Sequence, residues 1–249
     1  MIPEEIEKKL LQAVALIKSS SHTTVFTGAG VSVESGIPPF RGKDGLWSSI
    51  DPVFLDTAYF SRYPKESWKL IKHIFYDFFG EAKPNQAHYA LAQLEEKQLL
   101  HTVITQNIDN LHQAAGSKDV IEFHGTSRKL MCTRCERIFD VTETLLENLP
   151  PLCQNCSNVL KPCFVFFGES IPEEANTRSL NEARTADTFI VIGTTGEIQP
   201  ASMIPVIAKE NGVKIIEINI EASRYTNSIT DIFLKGKATE IMGYLLEHL

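Results

Sequence analysis

The sequence predicts an α/β fold built on a doubly wound parallel sheet, and three observations carry this prediction. Short apolar segments of strand length alternate with segments of helical periodicity along most of the chain. One of them, residues 188–192, is almost entirely apolar, as a strand buried on both faces requires. Several of these segments end in glycine or polar residues, and open α/β sheets place their ligands at the carboxyl ends of strands.

Length and composition indicate a soluble globular protein with one large domain, alone or with a small lobe. The chain has 249 residues, of which 43% are hydrophobic and 22% charged. A net charge of -7 and scattered basic residues argue against a nucleic-acid partner. The sequence has no apolar run of membrane-spanning length, and its first residues carry acids where a signal peptide carries bases. We therefore expect a cytoplasmic protein without a membrane partner. The sequence does not reveal the oligomeric state, and we favour a monomer.

The first strand candidate, residues 23–26, leads into the stretch TGAGVSVESGIPPFRG at residues 27–42. Here Gly28 and Gly30 offer backbone freedom for a tight turn and keep side chains away from amide N–H groups that could bind a phosphate. The pattern is not G-x-G-x-x-G, because the third position is Val33. A dinucleotide site and a purely structural turn therefore both stay open on these residues alone.

The residues after these glycines change from helical to stiff. Ser32 and its polar neighbours predict a solvated helix start. Prolines at positions 38 and 39 fix φ and remove two donors, so residues 37–42 should not be helical. This segment presents Phe40 and Arg41, which could close over a nucleotide whose diphosphate lies on the glycine loop.

The second and third strand candidates end in groups with chemical potential. Residues 102–105 run into the polar cluster at 106–109, which suits a ligand site at a strand end. The alternative is an Asx-type turn that leads into a short helix at residues 111–115. Residues 120–123 are followed directly by His124 and a glycine, so this histidine is sterically open, unlike a core histidine.

Helical periodicity and aromatic content mark the segments between the strands. Residues 43–83 are too long for a crossover loop and rich in aromatic residues, which predicts a helical insertion packed on its own rings. Pro84 suits the first turn of the next helix. His88 and His112 lie within helical patterns, and we interpret both as structural. The other predicted helices cover residues 4–18, 200–212 and 238–246.

The cysteines follow a metal-binding pattern. Cys132 and Cys135 form one C-x-x-C pair, Cys153 and Cys156 form a second, and 17 residues separate the pairs. This spacing predicts a zinc site, with two disulfides as the alternative. Four thiolates leave no open coordination position, so the zinc would be structural. The fifth cysteine, Cys163, has apolar neighbours and is predicted to be a buried strand thiol.

The C-terminal part continues the alternation of strands and loops. Its glycine-containing loop at residues 193–196 suits close approach by a ligand. The predicted strands are residues 164–167, ending at a Gly-Glu pair, residues 188–192, residues 214–218, ending at Asn219, and a short edge strand at residues 232–234.

Two insertions interrupt the wound sheet, so the second lobe should come from two separate stretches. The large domain is predicted from residues 1–42, 84–125 and 163–249, and the small lobe from a helical module at residues 43–83 and a zinc module at residues 126–162.

Taken together, these motifs strongly resemble a sirtuin. They are GAGVSVESGIPPFRG, TQNIDNLH, FHG, the two C-x-x-C pairs, FFGE and GTT, and they occur in the family's order over nearly the whole chain. Sirtuins are NAD-dependent protein lysine deacylases. The resemblance implies a Rossmann-like large domain with a small lobe, NAD as cofactor, structural zinc, and acylated lysine side chains of proteins as substrates.

The resemblance also implies roles for the matching residues. His124 would be the general base and would lie in the cofactor site, with Asn107 and Asp109 as the other catalytic residues. The NAD loop would contain Gly28, Ala29, Gly30, Phe40 and Arg41, the nicotinamide and ribose pocket Gln106, Asn107, Ile108 and Asp109, and the adenosine half Gly193, Thr194, Thr195 and Asn219. Val165, Phe166 and Gly168 would border the acyl-lysine peptide.

The chemistry of such a reaction fits these residue types. Cleavage of the nicotinamide bond needs no strong base, but in a later step a ribose hydroxyl must lose a proton. A histidine, with an ordinary pKa of about 6.5, is a suitable base for that step. Asn107 and Asp109 can act by positioning the carboxamide, ribose or water.

The sequence also bears on the acyl group and on rival activities. Members that remove acidic acyl groups carry a Tyr-x-x-Arg pair, and Ile71 and Ile74 stand at these positions here. We therefore expect acetyl or a longer apolar acyl chain as the substrate. The rival hypotheses are an NAD hydrolase or ADP-ribosyltransferase on the same scaffold, and a non-catalytic NAD-sensing module.

Overall fold

The computed structural model of the protein describes residues 4–40 and 45–249. Its strands are β1 (Thr23–Thr27), β2 (Thr102–Thr105), β3 (Val120–Glu122), β4 (Gly125–Cys132), β5 (Ile138–Asp140), β6 (Leu160–Phe164), β7 (Thr188–Ile192), β8 (Lys214–Asn219) and β9 (Ile232–Lys235). Its α-helices are α1 (Glu4–Ser19), α2 (Leu46–Ser49), α3 (Thr57–Arg62), α4 (Pro64–Ile71), α5 (Gln86–Glu96), α6 (Leu111–Ala115), α7 (Glu143–Leu146), α8 (Glu173–Thr185), α9 (Met203–Glu210) and α10 (Ala238–His248). Ala29–Ser35, Pro52–Leu55 and Phe79–Glu81 are 3₁₀-helical, and Lys72–Phe78 is a π-helix.

Six strands in the described part of the chain form the predicted parallel sheet, in the order β3-β2-β1-β7-β8-β9. Numbered within this sheet alone, the order is 3-2-1-4-5-6, which is that of a Rossmann fold. The strand order reverses between β1 and β7, where Thr27 lies opposite Ile192. Ligands of such folds bind outside the carboxyl ends of the strands at this point. The predicted fold class is confirmed.

Helices cover both faces of this sheet, because alternate side chains of its strands are apolar on both sides. Val25 packs against α1, α5 and α10, together with the side chains of the other strands that point to the same face. Phe26 points to the opposite face, where α8 and α9 complete a second core. The two cores hold the sheet in place, so the loops at the carboxyl ends of its strands are attached to a rigid support.

The small lobe combines the aromatic helical insertion with an antiparallel sheet in the order β5-β4-β6. The insertion packs on its own aromatic rings, as predicted, and shares this core with the antiparallel sheet. Trp68 is fully buried there, and its Nε1–H donates to the carbonyl oxygen of Leu160 at 2.8 Å. The domain boundaries at residues 42, 83, 125 and 162 stay predictions.

Two local predictions were wrong. The strand predicted at residues 164–167 is β6, which ends at Phe164. Beyond it the backbone bonds to two different loops, through Val165 N–H to His124 and Phe167 N–H to Leu55. Pro84 does not begin a helix, because Asn85 caps α5 by accepting a hydrogen bond from the backbone N–H of Ala87 at 3.0 Å.

Candidate active site

The loops that follow β1 and β7 are joined backbone to backbone at the switch point. Gly28 N–H donates to the carbonyl oxygen of Ile192 at 3.0 Å, and Gly30 N–H donates to that of Gly193 at 2.8 Å. The two glycine loops predicted from the sequence therefore meet, and the polar end of β2 lies beside them, where Gln106 N–H bonds to the carbonyl oxygen of Thr27 at 2.9 Å.

The glycines in the first loop are required by the close approach of the neighbouring loop. Gly28 has a φ of -121°, a conformation that any residue adopts, so no special turn requires it. The amide N–H groups of Gly28 and Gly30 are used by the neighbouring loop rather than left open to a phosphate. Space is the constraint, because a Cβ at Gly30 would lie 2.6 Å from the Cα of Gly193. The chain does turn directly after β1, where Val31 N–H donates to the Gly28 carbonyl oxygen at 3.1 Å, and the role of this loop in binding a phosphate stays a prediction.

A buried polar network connects the first loop with the end of β2. The Ser32 hydroxyl donates to Asp109 Oδ2 at 2.7 Å, and Asn107 Nδ2 donates to the Ser32 hydroxyl at 3.1 Å and to the Gly28 carbonyl oxygen at 3.3 Å. Burial raises the pKa of Asp109 above its ordinary value, although the hydrogen bonds from Leu111 N–H and Ser32 act to lower it. The network fixes the directions of the amide and the carboxyl group.

Ser32 is the polar residue of this network that the sequence reasoning missed. The residue was predicted to lie at a solvated helix start, but it is fully buried in a 3₁₀-helix. Its neighbour Val31 is also buried, whereas Val33 is exposed. The signal available in the sequence was a serine that directly follows a valine just after the glycine loop.

A second set of hydrogen bonds links the predicted adenosine residues. Gln106 Nε2 donates to the Thr194 hydroxyl at 3.2 Å, and Asn219 Nδ2 donates to the Thr194 carbonyl oxygen at 2.9 Å. Thr195, the next residue, is exposed. The carboxyl ends of β2, β7 and β8 are therefore joined around Thr194.

His124 lies directly after β3 and is held by its ring. Its Nδ1 is 2.9 Å from the carbonyl oxygen of Gln106. Because a carbonyl oxygen only accepts, Nδ1 carries the proton and Nε2 has its lone pair available. Burial lowers the pKa of His124, and the hydrogen bond to Gln106 opposes this effect only in part. The ring is therefore a neutral base at pH 7.

An aromatic wall, formed by Phe40 and rings of the helical insertion, faces this polar edge. The Phe40 ring is 5.4 Å from Trp47 and 6.1 Å from Phe79 between ring centroids. Arg41, predicted to act with Phe40, lies outside the described residues. The cleft between the wall and the strand ends is lined by Ala29, Ser32, Ile37, Phe40, Phe79, Asn107, Ile108 and Asp109.

The predicted peptide-binding residues flank His124 on the side of the small lobe. Val165 N–H donates to the His124 carbonyl oxygen at 2.8 Å. Phe166 has only 2% of its surface exposed, and its ring packs edge-on against Phe60 at 5.3 Å. Any contact of Phe166 with a peptide must therefore come from its backbone. Gly168 follows at a positive φ of 91°.

This arrangement has the features that a dinucleotide needs. The crevice lies outside the carboxyl ends of β1 and β2, beside the switch point of a Rossmann-like sheet, has an aromatic wall, and carries a few fixed polar groups on the other side. The absence of a Cβ at Gly28, where one would lie 2.8 Å from Gly193, keeps the two loops close enough to form one floor. The residues present fit NAD.

The four cysteines of the C-x-x-C pairs form one cluster, as predicted. Their Sγ atoms all lie within 4.8 Å of one another, with separations of 3.4 Å for Cys132–Cys156 and 3.7 Å for Cys135–Cys153. A zinc ion with Zn–S distances of about 2.3 Å holds its sulfurs about 3.8 Å apart, so the cluster fits structural zinc. The disulfide alternative was wrong, because all five cysteines are free; Cys163 lies half-buried in β6.

A second cavity, of about 500 Å³, lies beside the cleft and shares Phe79, Ile108 and Asp109 with it. It lies between the helical insertion, α6 and the antiparallel sheet, and most of its lining is apolar. The other lining residues are Phe75, Tyr76, Gly80, Ala82, Asn110, Leu111, Ala114, Ser127, Arg128, Asp140 and Val141.

Fold and site together define a nucleotide-binding α/β protein with a structural metal module. The profile of the Sir2 family matches residues 28–200 of the chain, which is more than half of its length. The chain therefore belongs to the Sir2 family, and the resemblance to sirtuins is confirmed.

Relatives and solved structures agree with this assignment. The NAD-dependent protein deacylase of Pyrococcus furiosus is 45% identical over 240 residues, covering 94% of this chain and 95% of the relative. NAD-dependent protein deacylase 1 of Archaeoglobus fulgidus is 42% identical over 246 residues, covering 98% of each. A Sir2 homologue in complex with ADP ribose has a TM-score of 0.89 at 41% identity, covering 95% of both chains. A Sir2–p53 peptide–NAD+ complex has a TM-score of 0.86 at 35% identity, covering 95% of this chain and 96% of that one.

Proposed function

We propose that this protein is an NAD-dependent protein lysine deacylase, which transfers the acyl group of an Nε-acyl-lysine to ADP-ribose and releases nicotinamide. The observation that carries the proposal is the held ring of His124, whose free Nε2 belongs to a neutral base. The relatives named as NAD-dependent deacylases and the solved ADP-ribose complex support the same activity.

When bound, NAD would supply a ribose carbon that becomes electrophilic as the nicotinamide bond breaks. The chain's own residues bind and orient. Asn107 and Asp109 line the cleft in directions fixed by Ser32, which supports a role in positioning the carboxamide, ribose or water. Phe40 covers the opposite side and excludes water. The contacts among Gln106, Thr194 and Asn219 support an adenosine site.

His124 takes a proton from a ribose hydroxyl at its Nε2. The backbone hydrogen bond to Gln106 keeps the proton on Nδ1, so the ring is oriented and in the required tautomer before substrate binds. The lowered pKa keeps the base unprotonated at neutral pH. These two properties are the ones that a general base at this step needs.

For the acyl group we propose acetyl or a longer apolar chain. Ile71 and Ile74, at the positions expected to recognise an acidic acyl group, are both buried and carry no charge. The neighbouring cavity of about 500 Å³, lined in part by Phe75, Phe79 and Leu111, has room for a longer chain. Arg128 among its lining residues is paired with Glu122 at 3.3 Å. A succinyl carboxylate therefore lacks an unpaired guanidinium there.

The test is a panel of acetyl-, myristoyl- and succinyl-lysine peptides, each incubated with NAD while O-acyl-ADP-ribose is followed by mass. We expect product from the acetyl or myristoyl peptide and little from the succinyl peptide. Faster succinyl removal would contradict the acyl assignment. Nicotinamide release without any acylated peptide would favour an NAD hydrolase or ADP-ribosyltransferase, and NAD binding with no nicotinamide release would favour a non-catalytic module.

We also propose that the protein acts as a cytoplasmic monomer without nucleic-acid partners. The net charge of -7 supports the last point. No helix in the part of the chain that the structure describes is long and apolar enough to cross a bilayer. Cell fractionation and the mass in solution by light scattering test the location and the oligomeric state.

A further inference from the structure

Lys161, in the edge strand β6, is a buried cation, which is uncommon for lysine. Only 8% of its surface is exposed. Its Nζ donates to the carbonyl oxygens of Pro162 at 3.0 Å and Phe164 at 2.9 Å, and it lies 2.9 Å from Glu169 Oε2. Three acceptors thus match the three N–H donors of the ammonium group. The charge also lies 4.0 Å from the centroid of the Phe166 ring.

Glu169 extends this arrangement to the backbone of the following turn. The same Oε2 accepts a hydrogen bond from Phe166 N–H at 2.7 Å, and Glu169 N–H donates to the Phe166 carbonyl oxygen at 3.0 Å. The Glu169 carboxylate therefore joins the Lys161 ammonium group to the N–H of Phe166, and the backbone N–H of Glu169 bonds to the Phe166 carbonyl oxygen. Phe164 and Phe166, on either side of Val165, are fixed by one ion pair.

The segment held in this way is the one next to the proposed base. Val165 N–H donates to the His124 carbonyl oxygen at 2.8 Å, and Phe167 N–H donates to the Leu55 carbonyl oxygen at 2.9 Å. With these bonds, the backbone of residues 164–167 is tied at each step, whereas the strand itself ends at Phe164. The ion pair replaces the support that a neighbouring strand would give.

Stability alone is a poor explanation for this pair. Lys161 is buried and loses hydration, whereas Glu169 remains exposed, so desolvation of the ammonium group and screening by water both offset the attraction between the charges. Here both charged groups form hydrogen bonds with backbone groups of a segment beside the site. Charge-assisted hydrogen bonds are short and directional, so they fix a backbone more closely than apolar packing does.

We propose that Lys161 and Glu169 are positioning residues that hold the backbone of residues 164–168 in the conformation that accepts the acyl-lysine peptide. The inference rests on the proposed function, since it takes the peptide to bind along this segment. Neither residue needs to touch the reacting atoms.

The test compares Lys161→Met and Glu169→Gln, which remove one charge each at nearly constant shape, with the conservative variant Lys161→Arg. Lys209→Met is the matched control, because it breaks a similar pair, Lys209–Asp231 at 2.7 Å, on α9. The readouts are the Kd of a fluorescein-labelled acetyl-lysine peptide by anisotropy, the Kd of NAD, and the KM and kcat for deacetylation. Zinc content and the unfolding midpoint check the fold of each variant.

Loss of a charge-assisted hydrogen bond corresponds to about a tenfold weaker peptide Kd and a matching rise in peptide KM. We expect this for Lys161→Met and Glu169→Gln, with NAD affinity unchanged, and near-parent values for Lys161→Arg and Lys209→Met. Unchanged peptide affinity in folded variants, or an equal loss of NAD affinity, overturns the proposal. Should Lys161→Met not fold, Glu169→Gln decides alone.

The two proposals fail in different ways. A parent protein that binds the peptide but makes no O-acyl-ADP-ribose refutes the proposed activity, while the anisotropy series still decides the role of Lys161. A parent protein that does not bind the peptide refutes both.

Discussion

Replacing Gly30 by alanine tests the packing of the two glycine loops directly. The new Cβ would lie 2.6 Å from Gly193 Cα and 2.8 Å from Gly193 O, which is 0.8 Å or less short of the 3.4 Å at which ordinary contact begins. Both atoms belong to backbone, so no side chain can move aside. Separating the loops by that distance stretches the Gly30–Gly193 hydrogen bond from 2.8 Å to about 3.6 Å, which breaks it.

The expected loss follows from these two effects. Overpacking costs about 1–3 kcal/mol, and a lost backbone hydrogen bond about 0.5–1.5 kcal/mol. We expect Gly30→Ala to lower the free energy of unfolding in urea by roughly 2–4 kcal/mol and to weaken the Kd of NAD measured by calorimetry, because the floor of the cleft opens.

Gly243→Ala is the control, since Gly243 lies in α10 and a Cβ there would meet no atom within 4 Å apart from the backbone of its own helix. This variant should gain about 0.5–1 kcal/mol, because alanine loses less backbone entropy in a helix. A Gly30→Ala protein as stable as its parent, with unchanged NAD affinity, would show that the loops are not packed as described.

Three further predictions concern the base, a buried histidine and the metal cluster. Burial lowers the pKa of His124, so the decrease of kcat/KM on the acid side should have its midpoint below about pH 6.5. A midpoint above that value would contradict the assignment of His124 as the base. Burial lowers the pKa of His88 to about 4, so as the pH falls from about 6.5 to 4 the unfolded chain binds a proton before the folded one does, and the free energy of unfolding should decrease. His88→Gln should show a smaller decrease in this free energy over the same range than the control His73→Gln. An equal decrease in the two variants would contradict the prediction. Cys132→Ala should lose zinc by elemental analysis and unfold at a lower temperature, whereas Cys163→Ala keeps its metal, and equal zinc content in both would exclude the four-cysteine site.

The parallel sheet could be predicted because each of its strands is a short apolar run bounded by glycine or polar residues. The antiparallel sheet could not, since β4 mixes exposed and buried residues without a regular alternation and the cysteine cluster lies at its end. Pro162 also argues against a strand, yet β6 lies at the edge of its sheet, where proline is tolerated.

The site was predictable where chemistry follows a strand, as for His124 and residues 106–109. It was not predictable where two distant loops meet. Nothing local to Gly30 reveals that Gly193 occupies the space beside it, and the burial of Ser32 depends on Asp109 and Asn107. Such residues acquire their roles from contacts between elements far apart in the chain.

The position of His124 follows from where the chain changes sheets. Gly125, the next residue, has a φ of 77° and begins β4, and a Cβ there would lie 2.1 Å from the Cys163 carbonyl oxygen. The chain can therefore pass from the parallel to the antiparallel sheet at this point only with a glycine. His124 is consequently held from both sheets, through Nδ1 by Gln106 after β2 and through its carbonyl oxygen by Val165 after β6. A substitution that weakens either hydrogen bond therefore affects the position of His124 without contacting its ring.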